Sequence, residues 1–241
     1  MTSEIGHFKN VTNLSGGDAE IIDALVPIVK KWCLMHRRYM QCSGGEVSFA
    51  YGERSQVSFL GAAIWQEGGV ALCDYSEEKT KWFPLIEDTH PFVGACDIYA
   101  YDKRNENYEF YAEAKYERVT ISPNREWSKI FEELQLRADE SAYALIEDHN
   151  DEDINGMGAP IFSICFRMLS ITGSKVDKYK KYRDDYIDSI RKYDDYNLSG
   201  WYFFQQPHGR DFENGIRYPV GTSIHLKHFA SIDGQPKFKM I

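Results

Sequence analysis

The chain lacks the features that mark a membrane-spanning or secreted protein. No apolar run approaches the roughly 18 residues that a transmembrane helix needs. The first residues have neither a basic start nor an apolar middle, so we expect no secretory signal. The five cysteines are scattered without a Cys-x-x-Cys pair, and their odd number argues against a disulfide framework. These absences predict a protein of the reducing cytoplasm that has no membrane partner.

The chain also lacks internal repeats, a glycine-rich phosphate loop and an excess of basic residues. Its formal net charge is −9, which argues against a large basic face for nucleic acid. Binding still depends on where the charged side chains lie, so the net charge does not decide the function. The 241 residues, 43% hydrophobic and 27% charged, suit one α/β domain over residues 1–241.

Hydrophobic periodicity predicts helices that alternate with strands. The helices are expected over residues 18–39, 50–66, 122–145 and 175–193. The third helix is predicted to have Ser122 as its N-cap and Pro123 as its first residue. Strands are expected over 70–75, 97–101, 108–116, 160–171, 201–206 and 223–229, with a loop over 76–91. This order predicts a central mixed sheet of about five strands flanked by helices.

Two of these strands form a predicted hairpin whose midpoint is Asn105. Residues equidistant from the midpoint then face each other, so Asp97 lies opposite Glu113. Because side chains alternate between the two faces of a strand, one face is apolar, and the other carries both carboxylates and Lys115. Two carboxylates about 4.5–5.5 Å apart favour a shared proton or a cation between them. The hairpin therefore predicts a site for a hard divalent ion, which prefers oxygen ligands.

A further carboxylate is predicted on the second helix. Glu53 is at helical spacing with Val57, Leu60 and Ile64, so it lies on the apolar face of that helix. A carboxylate on such a face is costly unless it is paired or binds a metal ion.

The segment CDIYAYDKRNENYEFYAEAKY resembles the core of the PD-(D/E)XK nuclease superfamily, in which an Asp on one strand precedes Glu-x-Lys on the next. Here Asp97 is followed sixteen residues later by Glu113-Ala114-Lys115, and Glu53 matches an acidic residue that many members carry on the preceding helix. Cys96 stands where many members have proline, and no Gln-x-x-x-Tyr motif follows the lysine. The resemblance covers a core of residues 50 to about 145, with N- and C-terminal elaborations.

The resemblance implies a restriction-endonuclease-like fold and metal-dependent hydrolysis of phosphodiester bonds, with DNA as the expected nucleic acid. Asp97, Glu113 and the carbonyl oxygen of Ala114 would bind Mg²⁺ or Mn²⁺. Glu53 would complete the ligand shell, directly or through water. Lys115 would orient the attacking water and stabilise the pentacovalent phosphate. The choice between a monomer and a homodimer stays open.

Three alternatives stay open for the same residues. One is a catalytically inactive binding or scaffold protein of this fold, which the acidic net charge favours. Another is an enzyme of a different class that uses the carboxylates on a non-nucleic substrate. The third is a solvated charged face on an edge hairpin.

Two other clusters have both a functional and a structural interpretation. The densest basic cluster, which includes Lys178, Lys180, Lys181 and Arg183, is interleaved with tyrosines at helical spacing. It predicts either a patch that tracks a nucleic-acid backbone or an amphipathic helix with its tyrosines in the core, and we favour the second. His225 and His228 are three residues apart without a third ligand nearby, which disfavours a metal pair.

Overall fold

The computed structural model describes residues 3–10, 14, 16–83, 86–102, 108–149, 160–205, 207 and 217–230. Its strands are β1 (Ser3–Lys9), β2 (Val70–Phe83), β3 (Ile86–Asp102), β4 (Tyr108–Thr120), β5 (Ile161–Thr172), β6 (Leu198–Phe204) and β7 (Arg217–Ala230). Its α-helices are α1 (Gly16–Cys42), α2 (Glu53–Gln66), α3 (Trp127–His149) and α4 (Tyr179–Arg191). Short 3-10 helices occupy Ser48–Tyr51 and Gly173–Lys178.

The strands form one mixed sheet of seven strands in the order β1-β6-β7-β5-β4-β3-β2. Neighbouring strands are antiparallel except β4 and β5, which run parallel. A parallel pair needs a crossover connection, and the segment that contains α3 provides it. The predicted mixed sheet flanked by helices is therefore confirmed, with two more strands than the roughly five expected from the pattern.

Helices cover the two faces of the sheet in separate layers. The apolar face of the β3–β4 hairpin, which includes Ile98 and Ala112, packs with α1 and α2 in the largest core cluster. The alternate residues of β5, such as Cys165 and Ile171, pack on the other side with α3 and α4. Close packing of α2 on β2 depends on Gly61, where a Cβ atom would lie only 2.6 Å from the Cys73 sulfur. The sheet thus separates two apolar layers.

The predicted helices are present, with different ends. The first one is longer than expected, and it continues through Pro27. The third one begins at Trp127, so the predicted N-cap at Ser122 is wrong. Residues 122–126 form a turn in which Asn124 has φ 58. This left-handed backbone conformation is incompatible with an α-helix that starts at Ser122. Among the described residues, no helix combines the length and the apolar character needed to cross a membrane.

The predicted loop over residues 76–91 is wrong, because the backbone there is extended. Strands β2 and β3 pair from Val70–Tyr101 to Phe83–Ile86, and Thr80 lies opposite Pro91 within this ladder. A two-stranded ribbon takes its hydrogen bonds from the backbone, so it forms without the apolar alternation that identifies a half-buried strand. Strand β1, which pairs with β6 at one edge of the sheet, was not predicted either.

Candidate functional site

The β3–β4 hairpin opens into a fork at the end away from its turn. Ile98 lies opposite Ala112 and Ala100 opposite Phe110, so the predicted register is confirmed. The described ladder ends at the Ile98–Ala112 pair, one step before Asp97 would meet Glu113. Instead, the backbone N–H of Ala114 donates to Asp97 Oδ2 at 2.7 Å. The Asp97 carboxylate thus takes the place of a backbone acceptor where the strands diverge.

Glu53 reaches the same edge of β4 from the first turn of α2. The backbone N–H of Tyr116, two residues beyond the amide that donates to Asp97, lowers the pKa of the Glu53 carboxylate. Burial raises the pKa of Glu53, the positive charge of Lys115 lowers it, and the negative charge of Asp97 raises it. The two carboxylates and the lysine therefore lie close enough to influence one another.

Local structure directs Glu53 into the fork. It is the first residue of α2, where the helix dipole favours a negative charge. Gly52 precedes it with φ 94, a conformation that residues with a side chain rarely adopt. Gly52 has open space around the position of a Cβ atom, so the backbone conformation alone selects glycine there.

Lys115 completes the group of residues that we call the fork site: Glu53, Asp97, Ala114 and Lys115. Its Nζ donates to the carbonyl oxygen of Ala114 at 2.9 Å, and the side chain is partly buried. The backbone of Ala114 thus contacts Asp97 through its N–H and Lys115 through its C=O.

Glu113 lies on the same strand but is directed toward the α3 layer. It is 3% exposed, and its neighbours Ala112 and Ala114 belong to the core of the opposite face. Across the parallel pair, Glu113 lies beside Ser163, whose hydroxyl donates to Asp139 on α3 at 2.5 Å. The predicted site residues Glu53, Asp97 and Lys115 thus come together. Glu113 is buried on the face of β4 from which Lys115 also projects, two residues along the strand.

The oxygen atoms of the fork site are of the kind that hard cations prefer. Two carboxylates and a carbonyl are typical ligands of Mg²⁺ or Mn²⁺, which is the chemistry that the sequence predicted for these residues. Across the described part of the chain, no group of three or more His, Cys, Asp or Glu residues is arranged to hold a metal ion. The donor set therefore fits a divalent cation by ligand type, with two carboxylates and a backbone oxygen rather than a closed cage.

A second set of buried polar groups lies on the α3–α4 side of the sheet. Arg167 is fully buried, and it donates to Glu117 at 2.6 Å and to the Tyr196 hydroxyl at 2.9 Å. The Tyr196 ring stacks on His225 with 4.5 Å between the ring centroids. We call these four residues the inner network. Nearby in the sheet, Lys227 donates to the buried carboxylate of Asp139 at 2.6 Å.

The inner network explains why His225 is not a metal ligand. One ring nitrogen lies 2.8 Å from the Ser223 hydroxyl, and the other lies 3.0 Å from the Ser199 hydroxyl. Burial and the positive charge of Arg167 lower the pKa of His225 well below its ordinary value. The imidazole is therefore a neutral, hydrogen-bonded core group.

The basic cluster on α4 is built as an amphipathic helix. Its tyrosines are buried, as the structural interpretation predicted, at Tyr179, Tyr182 and Tyr186. Lys178, Lys180 and Lys181 are exposed. Arg183 pairs with Glu4 at 2.8 Å and with Asp184 at 2.8 Å, so its charge is already compensated. Three lysines thus remain as candidates for contacts with a nucleic-acid backbone.

The sequence did not identify Tyr116 as part of this region. Its backbone N–H contacts Glu53, and a backbone donor has no residue-type signature. No family model matches the chain, and comparisons with curated proteins and with solved structures find no match either.

Proposed function

We propose that this chain is a divalent-metal-dependent nuclease with a restriction-endonuclease-like core, and that DNA is its substrate. The observation that carries the proposal is the meeting of Glu53, Asp97 and Lys115 around Ala114, where β3 and β4 diverge. These residues come from the helix before the sheet and from two successive strands. That order is the one implied by the resemblance of the sequence to the PD-(D/E)XK superfamily.

The electrostatics of the fork site support a role for a cation. Asp97 and Glu53 both present carboxylates to the edge of β4, and each raises the cost of ionising its neighbour. Lys115 and, more weakly, Arg137 lower the pKa of Glu53, but burial and the charge of Asp97 keep it raised. A further positive charge at this point would stabilise the ionised form of Glu53.

In the proposed reaction, Asp97, Glu53 and the carbonyl oxygen of Ala114 would hold Mg²⁺ or Mn²⁺, and Glu113 would complete the carboxylate set that the resemblance implies. The ion would supply Lewis-acid stabilisation of charge on the phosphate. The Lys115 ammonium orients the attacking water and neutralises negative charge that develops on the phosphate oxygens. The apolar layer behind β4 excludes water from the other side of the strand.

Cleavage assays with plasmid, single-stranded DNA and RNA in Mg²⁺ or Mn²⁺ test this proposal. The wild-type chain should cut at least one DNA substrate, and Lys115→Ala and Asp97→Ala should each lower the rate by about 100-fold or more. Lys192→Ala, at an exposed lysine after α4, is the matched control and should retain full activity. Circular dichroism should report the same fold in all variants. Equal rates for Lys115→Ala and Lys192→Ala would contradict the proposal.

A binding or scaffold protein with the same fold is the second candidate. It is favoured by the net charge of −9 and by the absence, among the described residues, of an arranged group of three metal-ligating side chains. Calorimetric titration with Mn²⁺ separates the two candidates. A nuclease should bind the ion at a site that is lost in Glu113→Ala, whereas a scaffold should release no heat of binding. An enzyme acting on another substrate would bind Mn²⁺ but leave all three nucleic acids intact.

A further inference from the structure

The 3-10 helix Ser48–Tyr51 is fastened to β4 by two side chains. The Tyr116 hydroxyl donates to the carbonyl oxygen of Phe49 at 2.9 Å. Arg118 Nη2 donates to the carbonyl oxygen of Ala50, also at 2.9 Å. The two donors are two residues apart on one strand, so they reach the 3-10 helix from the same face of the sheet.

The 3-10 helix leads directly into the residue that enters the fork. It ends at Tyr51, and Gly52 then turns the chain into α2, whose first residue is Glu53. On the helix side, the Ser55 hydroxyl donates to the carbonyl oxygen of Ser48 at 2.9 Å. The segment before Glu53 is therefore tied to β4 on one side and to α2 on the other.

Tyr116 acts on this segment at two points. Its hydroxyl donates to the 3-10 helix, and its backbone N–H lowers the pKa of the Glu53 carboxylate. Phe49 is 1% exposed, so its carbonyl is held in a packed environment. A change at the side chain of Tyr116 or Arg118 is thus transmitted over a short, hydrogen-bonded path to the position of Glu53.

We propose that Tyr116 and Arg118 form a clamp that positions the Glu53 carboxylate in the fork site. They are positioning residues, because their side chains contact the backbone before α2 and act on the site through Glu53. The catalytic consequence of the clamp rests on the proposed nuclease function. The clamp itself is a property of the fold, and it can be measured without turnover.

Hydrogen exchange of the residue-116 amide in the full chain tests the clamp. Tyr116→Phe and Arg118→Ala retain this amide, which lies close enough to Glu53 to lower its pKa. The double variant should exchange it about five- to tenfold faster than wild type, and Arg118→Lys should exchange more slowly than Arg118→Ala. The amide of Ile121, which donates to Ser170 at 2.7 Å farther along, is the internal reference and should keep its rate.

Two further variants are matched controls for the removed groups. Arg125→Ala deletes an exposed arginine that contacts Ser122 at 3.3 Å, and Tyr193→Phe deletes a hydroxyl that contacts Asp195 at 3.4 Å. Neither should change exchange at residue 116. Unchanged exchange at this amide in the Tyr116→Phe/Arg118→Ala variant would overturn the clamp, whether or not the wild-type chain cleaves DNA.

Steady-state kinetics with Mn²⁺ and DNA test the catalytic consequence. The double variant should lose about tenfold in kcat with little change in KM, and Arg118→Lys should recover part of the loss. A higher KM at unchanged kcat would indicate direct substrate contact and would overturn the positioning role. Absence of cleavage by the wild-type chain would refute the proposed nuclease, and the exchange rates would still decide the clamp.

Discussion

The inner network and the fork site both bury charge beside β4, but they balance it differently. In the inner network, the Arg167 guanidinium has a carboxylate partner in Glu117, and its other contacts are neutral. In the fork site, burial and the charge of Asp97 keep the pKa of Glu53 raised, although Lys115 and Arg137 oppose them. Charge that is balanced within the chain stabilises the fold, whereas a carboxylate whose ionisation is disfavoured gains from a ligand of opposite charge.

The two regions use neighbouring positions of the same strand, β4. Glu117 and Lys115 are two residues apart on the same strand, yet the carboxylate belongs to the inner network and the lysine to the fork site. Burial and the charge of Arg167 disfavour a second positive charge on His225 in the inner network. The free energies of unfolding of variants in each region distinguish the two.

The largest expected effect is the loss of the arginine in the inner network. Arg167→Ala leaves the partly buried Glu117 carboxylate and the buried Tyr196 hydroxyl without their donor. It should lower the free energy of unfolding by about 3–5 kcal/mol. Chemical denaturation measures the change. The exposed Arg191, paired with Asp188, is the matched control, and Arg191→Ala should cost at most about 0.5 kcal/mol. Similar losses of unfolding free energy in Arg167→Ala and Arg191→Ala would contradict a special contribution of the buried arginine.

The second effect is a dependence of stability on pH that comes from the inner network. The pKa of His225 in the folded chain lies below its ordinary value of 6.5, because burial and Arg167 disfavour its charged form. The unfolded chain therefore binds more protons, and the stability present above pH 6.5 is lost as the pH falls below it. This one group should contribute about 1.4 kcal/mol per pH unit in that range.

Urea denaturation at pH 7.5, 6.5 and 5.5 checks this slope. His225→Gln keeps a side chain that can hydrogen-bond to the neighbouring serines, but it does not titrate. It should therefore flatten the slope below pH 6.5 relative to wild type. An identical slope in the two proteins would show that other groups carry the pH dependence.

The smallest effect is expected at the fork site. Asp97→Asn keeps an oxygen that accepts from the Ala114 N–H, and it removes repulsion with Glu53. The free energy of unfolding in metal-free buffer should therefore change by no more than about 0.5 kcal/mol, or rise. The same substitution at Asp139, whose carboxylate pairs with Lys227, should cost about 1–3 kcal/mol. Thermal unfolding of both variants in EDTA gives the comparison, and a large loss for Asp97→Asn would contradict it.

The sequence predicted the hairpin register correctly because two simple rules act together there. The paired residues of the two strands are equidistant in sequence from position 105, and the apolar alternation of the strands fixes which residues face the core. The helical phase of Glu53 likewise predicted that its carboxylate would point inward, and the structure brings it to the edge of β4. Local periodicity was sufficient for these positions.

Other features depend on contacts that local patterns do not encode. The fork itself was not predicted, because the sequence does not state where two paired strands diverge. Direct opposition of Asp97 and Glu113 was therefore expected, whereas the described ladder ends one pair earlier and Asp97 accepts from the Ala114 N–H. The clamp by Tyr116 and Arg118 joins a strand to backbone carbonyls far away in the chain, and such acceptors have no side-chain signature.

The clamp also determines when the fork site can exist during folding. Its two hydrogen bonds join residues 67 and 68 positions apart, so they close a much longer loop than the β3–β4 hairpin does. Long loops cost more conformational entropy to close, and contacts across them form slowly. A nascent chain that lacks β4 cannot form the clamp. Any hydrolytic capacity of the site therefore arises only after β4 has been synthesised and has folded against the segment before α2.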